Sequence, residues 1–343
     1  MAWSELLVDL FFVAAYFQMD AVGLDYFLLF SVFWQHWFSV SIYALTRKTT
    51  DDTLSGKVFR FTHLYLLGVM TLAQPFVFDV DGAGPVVFGV ANALSRLTRM
   101  VQWRENRKMQ LSHLVNGILH VALCFLPAVG RRVVLGLTVV VDWTAIATVP
   151  LHFSPVHLQE HFATFSSILL GDTLLGTVVA ASAHDPMSKL VESSITFVIV
   201  FALWWIYFDD LDASIFQNGR VMLFSWMFFH FSFHYFLTYG GKLLADLIVA
   251  DVAVPAVDLK GDTGVNTLFI MFAMMLLQSS FLKMVQLFAG SEHRPIVVFT
   301  RCANGGILFI IGVLPFEMSP LIMYILVCVI LCVQVTIDLC NAE

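Results

Sequence analysis

The chain has 343 residues, 59% of them hydrophobic and 13% charged, and its mean hydropathy is +0.83. This balance lies outside the range of soluble globular domains and indicates an integral membrane protein. The formal net charge of −7 leaves no basic surface for nucleic acid, so we exclude that class of partner.

The apolar segments are long and continuous. Runs such as VESSITFVIVFALWWIYF and LIMYILVCVILCVQVTI do not alternate between apolar and polar residues, which favours helices over barrel strands. A membrane crossing needs about 20 apolar residues, and loop signals divide the chain into about twelve such segments. We therefore predict an all-α membrane protein, a polytopic bundle of about twelve transmembrane helices. Residues 1–150 and 151–343 would form the two six-helix halves of a single membrane domain.

The predicted helices cover, in chain order, about residues 3–19, 25–45, 58–78, 85–103, 110–128, 132–149, 159–181, 190–208, 219–239, 265–288, 295–314 and 319–339. Basic residues concentrate in the segments RKTTDDTLSGK, RENRK and SEHR, which this arrangement places on the same face as both termini. Since basic residues favour the cytoplasmic side, we predict cytoplasmic termini in a plasma membrane or a bacterial-type inner membrane.

Two pairs of segments from the two halves resemble each other. VFWQHWFSVSIYALTRKTTDD in the second predicted helix and VFALWWIYFDD in the eighth both combine paired aromatic residues, a late tyrosine and a terminal acidic pair. SELLVDLFFVAAYFQ and QEHFATFSSILLGD, from the first and seventh helices, both open with glutamate and end near a polar group. Two six-helix pseudo-repeats, as in some transporter folds, would explain these likenesses. Chance similarity among aromatic membrane helices explains them equally well.

The first predicted helix carries two acidic residues, Glu5 and Asp9, on one face. A charged side chain inside a membrane helix costs about 2.5–3.5 kcal/mol, so it faces the bundle interior and pairs there. Arg96 and Arg99 in the fourth helix also share a face and are the candidate buried cations of the first half. We expect one of these arginines to pair with one of the two acids. The alternative for Glu5 is a position at the membrane interface near the helix start.

The fifth and sixth helices add further polar groups. His113 and His120 are two helical turns apart and share a face, so they form either a proton relay or a pair of hydrogen-bonded packing residues. Asp142 lies inside the sixth helix and is a further candidate for a buried carboxylate.

The seventh helix begins with SPVHLQEH, which contains H-x-x-E-H, the inverted zinc-protease pattern. His157 and His161 would be the zinc ligands and Glu160 the base, but no third ligand stands at a recognisable spacing. We favour helix capping by Glu160 and interfacial histidines, and we predict no metal site. Further along, SILLGDTLLG places Asp172 after a glycine inside the membrane.

Taken together, SELLVDLFFVAAYFQ and HLQEHFATFSSILLGDTLLG resemble the low temperature requirement A (LtrA) family of bacterial-type membrane proteins. That family is marked by a pattern like W-L-E-L-F-F-D-L-V-F-V followed by glutamine, and by a second pattern like H-L-x-E-R-F-G-L-F-V-I-I-x-L-G-E. The residues that match are Trp3, Glu5, Asp9, Leu10, Phe12, Val13 and Gln18 in the first pattern, and His157, Leu158, Glu160, Phe162, Leu170 and Gly171 in the second.

The resemblance covers most of the first 210 residues and departs from the family pattern at two positions. His161 stands in place of arginine, which removes a permanent cation, and Asp172 stands in place of glutamate, which keeps the carboxylate. The resemblance implies a polytopic bundle in which the intramembrane acids are motif residues.

These observations favour a transporter or an ion- or proton-coupled permease, and we expect no enzymatic activity. In this hypothesis Asp172 exchanges the proton, and Arg96 is its counter-charge or an anion contact. The residues assigned to the substrate or ion pathway are Asp9, Gln18, Arg96, Asp142, Glu160 and Asp172. Structural or pH-sensing roles are assigned to Glu5, Arg99, His157 and His161.

The alternative is a protein that binds lipid or another apolar ligand, or a structural subunit of a membrane complex that transports nothing. The aromatic content of 14% suits an apolar pocket. The expected partners are membrane lipids and a small-molecule or ion substrate. The chain is compatible with a homo-oligomer, and its sequence does not identify a cofactor.

Overall fold

The computed structural model describes residues 3–19, 21, 23–46, 54–79, 82–148, 155–182, 189–209, 220–253, 263–289, 294–314 and 319–341. These residues form twelve α-helices and the short 3₁₀ helix Gln74–Phe76, and they contain no β-strand. The helices are α1 (Trp3–Phe17), α2 (Gly23–Thr46), α3 (Leu54–Ala73), α4 (Gly84–Gln102), α5 (Arg107–Leu123), α6 (Ala128–Thr148), α7 (Pro155–Ser182), α8 (Leu190–Phe208), α9 (Arg220–Ala253), α10 (Thr263–Ala289), α11 (Pro295–Val313) and α12 (Pro320–Cys340). The predicted all-α membrane bundle is therefore confirmed.

Six of the described helices are long and apolar enough to cross a membrane by themselves. These stretches are Gly23–Leu45, Val156–Ser182, Leu190–Phe208, Asn266–Phe288, Pro295–Val313 and Leu321–Cys340. α4 and α5 are not among them, and their buried faces carry polar side chains, which include Arg96, Arg99, His113 and Asn116. Polar residues that face a bundle interior are shielded from lipid, so α4 and α5 are suited to line a polar core.

The chain divides into two compact units, Met1–His161 and Phe162–Glu343. The boundary lies within α7, beyond the predicted boundary between residues 150 and 151, so the start of α7 belongs to the first unit. In the first unit α4 packs against α3 and α5, α6 packs against α5 and α2, and α1 packs against α2 and α3. In the second unit α10 packs against α9 and α11, and α12 packs against α11 and α8. Most helix pairs that pack together in the first unit therefore recur in the second unit between the helices numbered six higher. A six-helix repeat predicts this pattern.

α2 and α6 are joined by an ion pair near the ends at which both helices begin. Arg132 Nε and Nη2 donate to the two carboxylate oxygens of Asp25 at 2.6 and 2.7 Å, and the guanidinium lies 5.1 Å from the ring centroid of Phe78. Further along the same helices, the fully buried Trp34 stacks on Trp143 with ring centroids 5.7 Å apart. The two helices are therefore parallel neighbours.

α4 and α5 approach each other closely at Gly89. A Cβ atom built at this glycine would lie 2.6 Å from the sulfur of Cys124 and 2.6 Å from the carbonyl oxygen of His120. Small residues at a helix contact let two backbones come together, so Gly89 determines how closely α4 and α5 pack.

Replacing Gly89 with alanine should destabilise the protein. The added methyl group would overlap the α5 backbone, and overpacking of this kind costs about 1–3 kcal/mol. Gly136 in α6 is the matched control, since a Cβ there meets no atom within 4 Å and alanine favours a helix over glycine by about 1 kcal/mol. Thermal unfolding in detergent should give a lower midpoint for Gly89→Ala and an equal or higher one for Gly136→Ala. Unchanged midpoints in both variants would contradict the close contact.

Candidate functional site

Three helices of the first unit meet at one buried carboxylate, that of Asp142 in α6. Arg96 in α4 contacts it twice, since Nη1 donates to Oδ1 at 3.1 Å and Nη2 lies 2.7 Å from Oδ2. From α5, Ser112 Oγ and Asn116 Nδ2 donate to Oδ1 at 3.2 and 2.7 Å. Arg96 is fully buried and Asp142 is 6% exposed. This is therefore an interior charge pair, and its additional hydrogen bonds offset part of the desolvation of the two charges.

The predicted pairing of Arg96 or Arg99 with Asp9 is wrong. Arg96 pairs with the α6 carboxylate, and Arg99 donates to His63. The reason is the order of the helices, because α4 packs between α3 and α5 whereas α1 packs against α2 and α3. The side chain of Glu5, the other predicted partner, lies outside the described part of the structure.

Asp9 faces the interior of the first unit and is fully buried. Trp37 Nε1 in α2 donates to Asp9 Oδ1 at 2.7 Å, and His161 Nε2 at the start of α7 lies 3.9 Å from the same oxygen. The rings of His161 and Trp37 stack with an interplanar angle of 2°. His161 Nε2 lies 2.6 Å from Ser41 Oγ and donates to it, because the Ser41 hydroxyl itself donates to the Trp37 carbonyl. The first and second sequence motifs therefore meet at His161.

The other residues predicted for the pathway lie elsewhere. Gln18 is exposed just after α1, and His157 and Glu160 are exposed and lie 3.2 Å apart. Asp172 is half-buried in the second unit and has no hydrogen bond or ion pair with another described residue. Arg96, predicted as its counter-charge or as an anion contact, pairs with Asp142 in the first unit. The counter-charge assignment is therefore wrong, and the anion contact stays a prediction.

The H-x-x-E-H motif does not gather its histidines at one site. His157 is exposed, whereas the ring of His161 is buried against Trp37. Within the described ranges, no group of three or more His, Cys, Asp and Glu side chains is placed to hold a metal ion.

A small cavity of about 20 Å³ lies between α2, α5 and α6. Its polar lining consists of Gln35, Ser39, His113 and Asp142, and the rest of its wall is apolar. Gln35 Oε1 and His113 Nδ1 are buried and have no hydrogen-bond partner among the described residues. A cavity of this volume is large enough for a water molecule, although most of its wall surface is apolar. A water or an ion of similar size in this cavity would lie next to Asp142.

A chain of hydrogen bonds runs along α4, the helix that carries Arg96 of the ion pair with Asp142. Arg99 Nη2 lies 2.6 Å from His63 Nε2, and His63 Nδ1 lies 3.1 Å from Ser95 Oγ. Ser95 Oγ lies 3.4 Å from His36 Nδ1, and His36 Nε2 lies 2.7 Å from Asn92 Oδ1. All five residues are buried, and we call them the imidazole chain.

The two ends of the imidazole chain determine its direction. Arg99 can only donate, and its Nη2 lies closer to His63 Nε2, at 2.6 Å, than to Nδ1, at 3.1 Å. Nε2 therefore accepts, and the neutral ring carries its proton on Nδ1, which donates to Ser95. Asn92 Oδ1 can only accept, so His36 donates from Nε2 and accepts the Ser95 hydroxyl at Nδ1. Both assignments require a neutral ring. The chain of hydrogen bonds is therefore complete only when both histidines are uncharged.

In the second unit, Arg301 in α11 connects two carboxylates. Its Nη2 lies 2.7 Å from Asp338 Oδ2 in α12 and 3.1 Å from Asp209 Oδ2, which directly follows α8. Asp209 also pairs with Lys283 at 3.1 Å and with Arg294 at 3.2 Å. Arg301 and Asp338 are buried, so the second unit also contains an interior charge pair. We call these five residues the second-unit ion cluster.

Part of these clusters is recognisable from the sequence. Arg301 and Asp338 are isolated charges within the apolar helices α11 and α12, and such charges indicate buried partners. The uncharged members of the imidazole chain give a weaker signal. Histidine, serine and asparagine are common in helices, and their pairing depends on which helices pack together.

A buried arginine–carboxylate pair within a bundle of membrane-length helices defines a polytopic membrane protein with a polar core. The family model described as "Bacterial low temperature requirement A protein (LtrA)" matches residues 1–335. The chain therefore belongs to the LtrA family, and the match extends the resemblance through most of the second unit. A comparison with curated proteins finds no significant match.

Replacing Asp142 with alanine should destabilise the protein strongly. The change leaves Arg96 buried without its carboxylate, and breaking a buried ion pair costs about 3–5 kcal/mol. Asp25→Ala is the matched control, because it breaks a partly exposed pair with Arg132, and exposed pairs are worth about 0–1 kcal/mol. Thermal unfolding in detergent should show the larger loss for Asp142→Ala. A similar loss in both variants would argue against the interior pair.

In the second-unit ion cluster, Arg301→Gln should destabilise the protein more than Arg294→Gln does. Arg301 is fully buried and bridges two carboxylates, so its loss should cost about 3–5 kcal/mol. Arg294 is partly exposed where it pairs with Asp209, so its loss should cost about 1 kcal/mol or less. Unfolding midpoints of the two purified variants provide the comparison, and the reverse order would show that Arg301 does not hold the cluster together.

Proposed function

We propose that this LtrA family member moves a small solute or ion across the membrane together with a proton, and that Asp142 carries the proton. One observation supports this role above all. Asp142 borders a cavity of water size, next to an imidazole nitrogen without a partner among the described residues. A carboxylate with access to such a cavity can exchange a proton, as intramembrane acids do in pumps and transporters.

Protonation of Asp142 would change how the first unit packs. In the ionised state the carboxylate holds Arg96 from α4 and two neutral donors from α5. A proton from the cavity removes its negative charge, so the attraction to Arg96 is lost and the guanidinium can bind another group. The contact among α4, α5 and α6 then has two arrangements, and a transport cycle needs such an element with two states.

His113 is the second group that can carry a proton in this cavity. Its Nδ1 has no hydrogen-bond partner among the described residues, and its ring lines the same space as Asp142. A neutral imidazole accepts a proton at such a nitrogen and passes it on through a bound water. His113 and Asp142 thereby provide two proton-carrying groups that line one cavity.

We place both termini on the cytoplasmic side, because the basic loops concentrate on the face that bears them. In this orientation α4 and α6 end at the cytoplasm, and Arg96 and Asp142 lie in the C-terminal halves of these helices. The cavity then lies in the cytoplasmic half of a plasma membrane or a bacterial-type inner membrane. Membranes of this kind maintain the proton gradient that the transport role requires.

A structural role without transport is the second candidate, and the interior ion pairs favour it. Both Arg96 with Asp142 and Arg301 with Asp338 are paired, and paired charges can serve only to fix the register of neighbouring helices. In that role lipids or a neighbouring subunit are the partners. Neither candidate requires an enzymatic step or a cofactor.

Flux measurements in proteoliposomes separate the two roles. Vesicles that contain the full chain and the trapped pH dye pyranine receive an inward proton gradient with sodium chloride, sodium nitrate, sodium formate, sodium gluconate or a mixture of amino acids in turn. With at least one solute the lumen should acidify faster than in protein-free vesicles. Asp142→Asn should abolish this difference, because an amide does not take up the proton.

Asp172→Asn is the matched control, because it neutralises an intramembrane aspartate in the other unit. This variant should retain the flux if Asp142 carries the proton. Loss of flux in Asp172→Asn with retention in Asp142→Asn would return the proton-carrying role to Asp172. Acidification at the protein-free rate with every solute would reject transport in favour of the structural role.

A further inference from the structure

The surroundings of Asp142 in the first unit bury more positive than negative charge, because the unit's other buried carboxylate, Asp9, contacts Trp37 and His161 instead. Arg99 is 2% exposed and lies one helical turn beyond Arg96 on the same face of α4. Its hydrogen-bond partner among the described residues is His63, which accepts from it as a neutral ring. The charges of both arginines act on Asp142. Among the described residues of this core, one carboxylate therefore stands against two buried guanidinium groups.

The other side chains around this carboxylate supply no second negative charge. α5 contributes Ser112, Asn116 and His113, and α2 contributes Gln35 and Ser39. Four of these are uncharged, and the histidine can only add positive charge. A buried charge without a counter-charge is costly in a medium of low dielectric constant, so this core favours the entry of an anion and disfavours a cation.

We propose that this core binds one small monovalent anion together with one proton. The proton passes from water to the carboxylate of Asp142, which becomes neutral. The anion enters the cavity region and takes the place of that carboxylate opposite Arg96, with the charge of Arg99 close behind. One positive and one negative charge enter together, so the net charge of the core stays the same. This proposal rests on the proposed function, because it specifies small monovalent anions as the class of solute that is moved with the proton.

Size and shape limit the anions that fit. The cavity of about 20 Å³ admits a guest of water size, and the carboxylate of Asp142 frees its own volume when it leaves Arg96. A halide is close to the size of the cavity, whereas nitrate or formate also needs the volume of the displaced carboxylate. A planar anion matches the forked donors of a guanidinium group. Gluconate has the same charge but is far too large, so it provides the control anion.

Thermal unfolding of the detergent-purified full chain tests the site. Sodium chloride, sodium nitrate and sodium formate are each compared with sodium gluconate at equal ionic strength. The wild type should unfold at a higher temperature with at least one small anion than with gluconate. This difference should grow from mildly alkaline to mildly acidic pH, because binding of the anion takes up a proton.

Arg99→Gln should abolish the difference between small anions and gluconate. Arg132→Gln should keep it, because that arginine belongs to the partly exposed pair with Asp25 where α2 and α6 begin. Equal unfolding temperatures of the wild type in gluconate and in every small anion would overturn the site. An undiminished anion response in Arg99→Gln would do the same.

Asp142→Asn provides a second readout if Arg99→Gln does not fold. The amide imitates the protonated acid, so this variant should respond to the small anion at both pH values with no increase on acidification. A response that still grows on acidification would overturn the assignment of the proton to Asp142. Loss of the response at both pH values would overturn the anion site itself.

The two experiments distinguish a failure of the transport hypothesis from a failure of the anion-binding hypothesis. Stabilisation by a small anion without any acidification of proteoliposomes would reject the proposed function and retain the anion site. Acidification that is as fast in gluconate as in chloride, nitrate and formate, with no stabilisation by any of them, would retain proton-coupled movement and reject the anion site.

Discussion

The first unit depends on the burial of one charge pair, Arg96 with Asp142, inside an apolar helical bundle. Each of these charges is costly away from water, and the pair is tolerated only where further donors complete its hydrogen bonding. α4 supplies the arginine, α6 the carboxylate, and α5 a serine and an asparagine between them. The three helices must therefore stay at fixed distances. The close approach of α4 and α5 at Gly89 meets this requirement a few turns along the same helices.

The second unit satisfies the same constraint with other residues. Its interior pair joins Arg301 in α11 to Asp338 in α12, and the helices that supply these residues pack in the same order as their counterparts in the first unit. In both units an arginine from an earlier helix pairs with an aspartate of the unit's last helix. The neutral donors around Asp142 leave space for a small cavity, whereas three cations surround Asp209 in the second unit. The difference makes the first unit the better candidate for exchange of a proton.

The sequence identifies several members of the site but not their partners. Asp9, Arg96 and Asp142 are recognisable as interior groups, because a charge within an apolar run must turn away from lipid. One partner of Asp9 is an indole N–H on α2, and tryptophan in a membrane helix is usually apolar filling or an interfacial anchor. Gln18 and Glu160 belong to the motifs but lie exposed near helix ends, where Glu160 contacts the equally exposed His157. Their exposure follows from depth along the helix, which motif matching does not measure.

The sequence by itself determined an all-helical membrane bundle of about twelve helices, because the thickness of the bilayer imposes a length on each apolar segment. Its two motifs also determined the family. Only the tertiary structure decided that Arg96 meets Asp142, that His161 meets Asp9 and that Arg99 ends a chain of neutral imidazoles. These contacts join side chains on different helices over distances of a few ångströms. Helical periodicity specifies which residues share a face of one helix, and it does not specify which helices pack against that face.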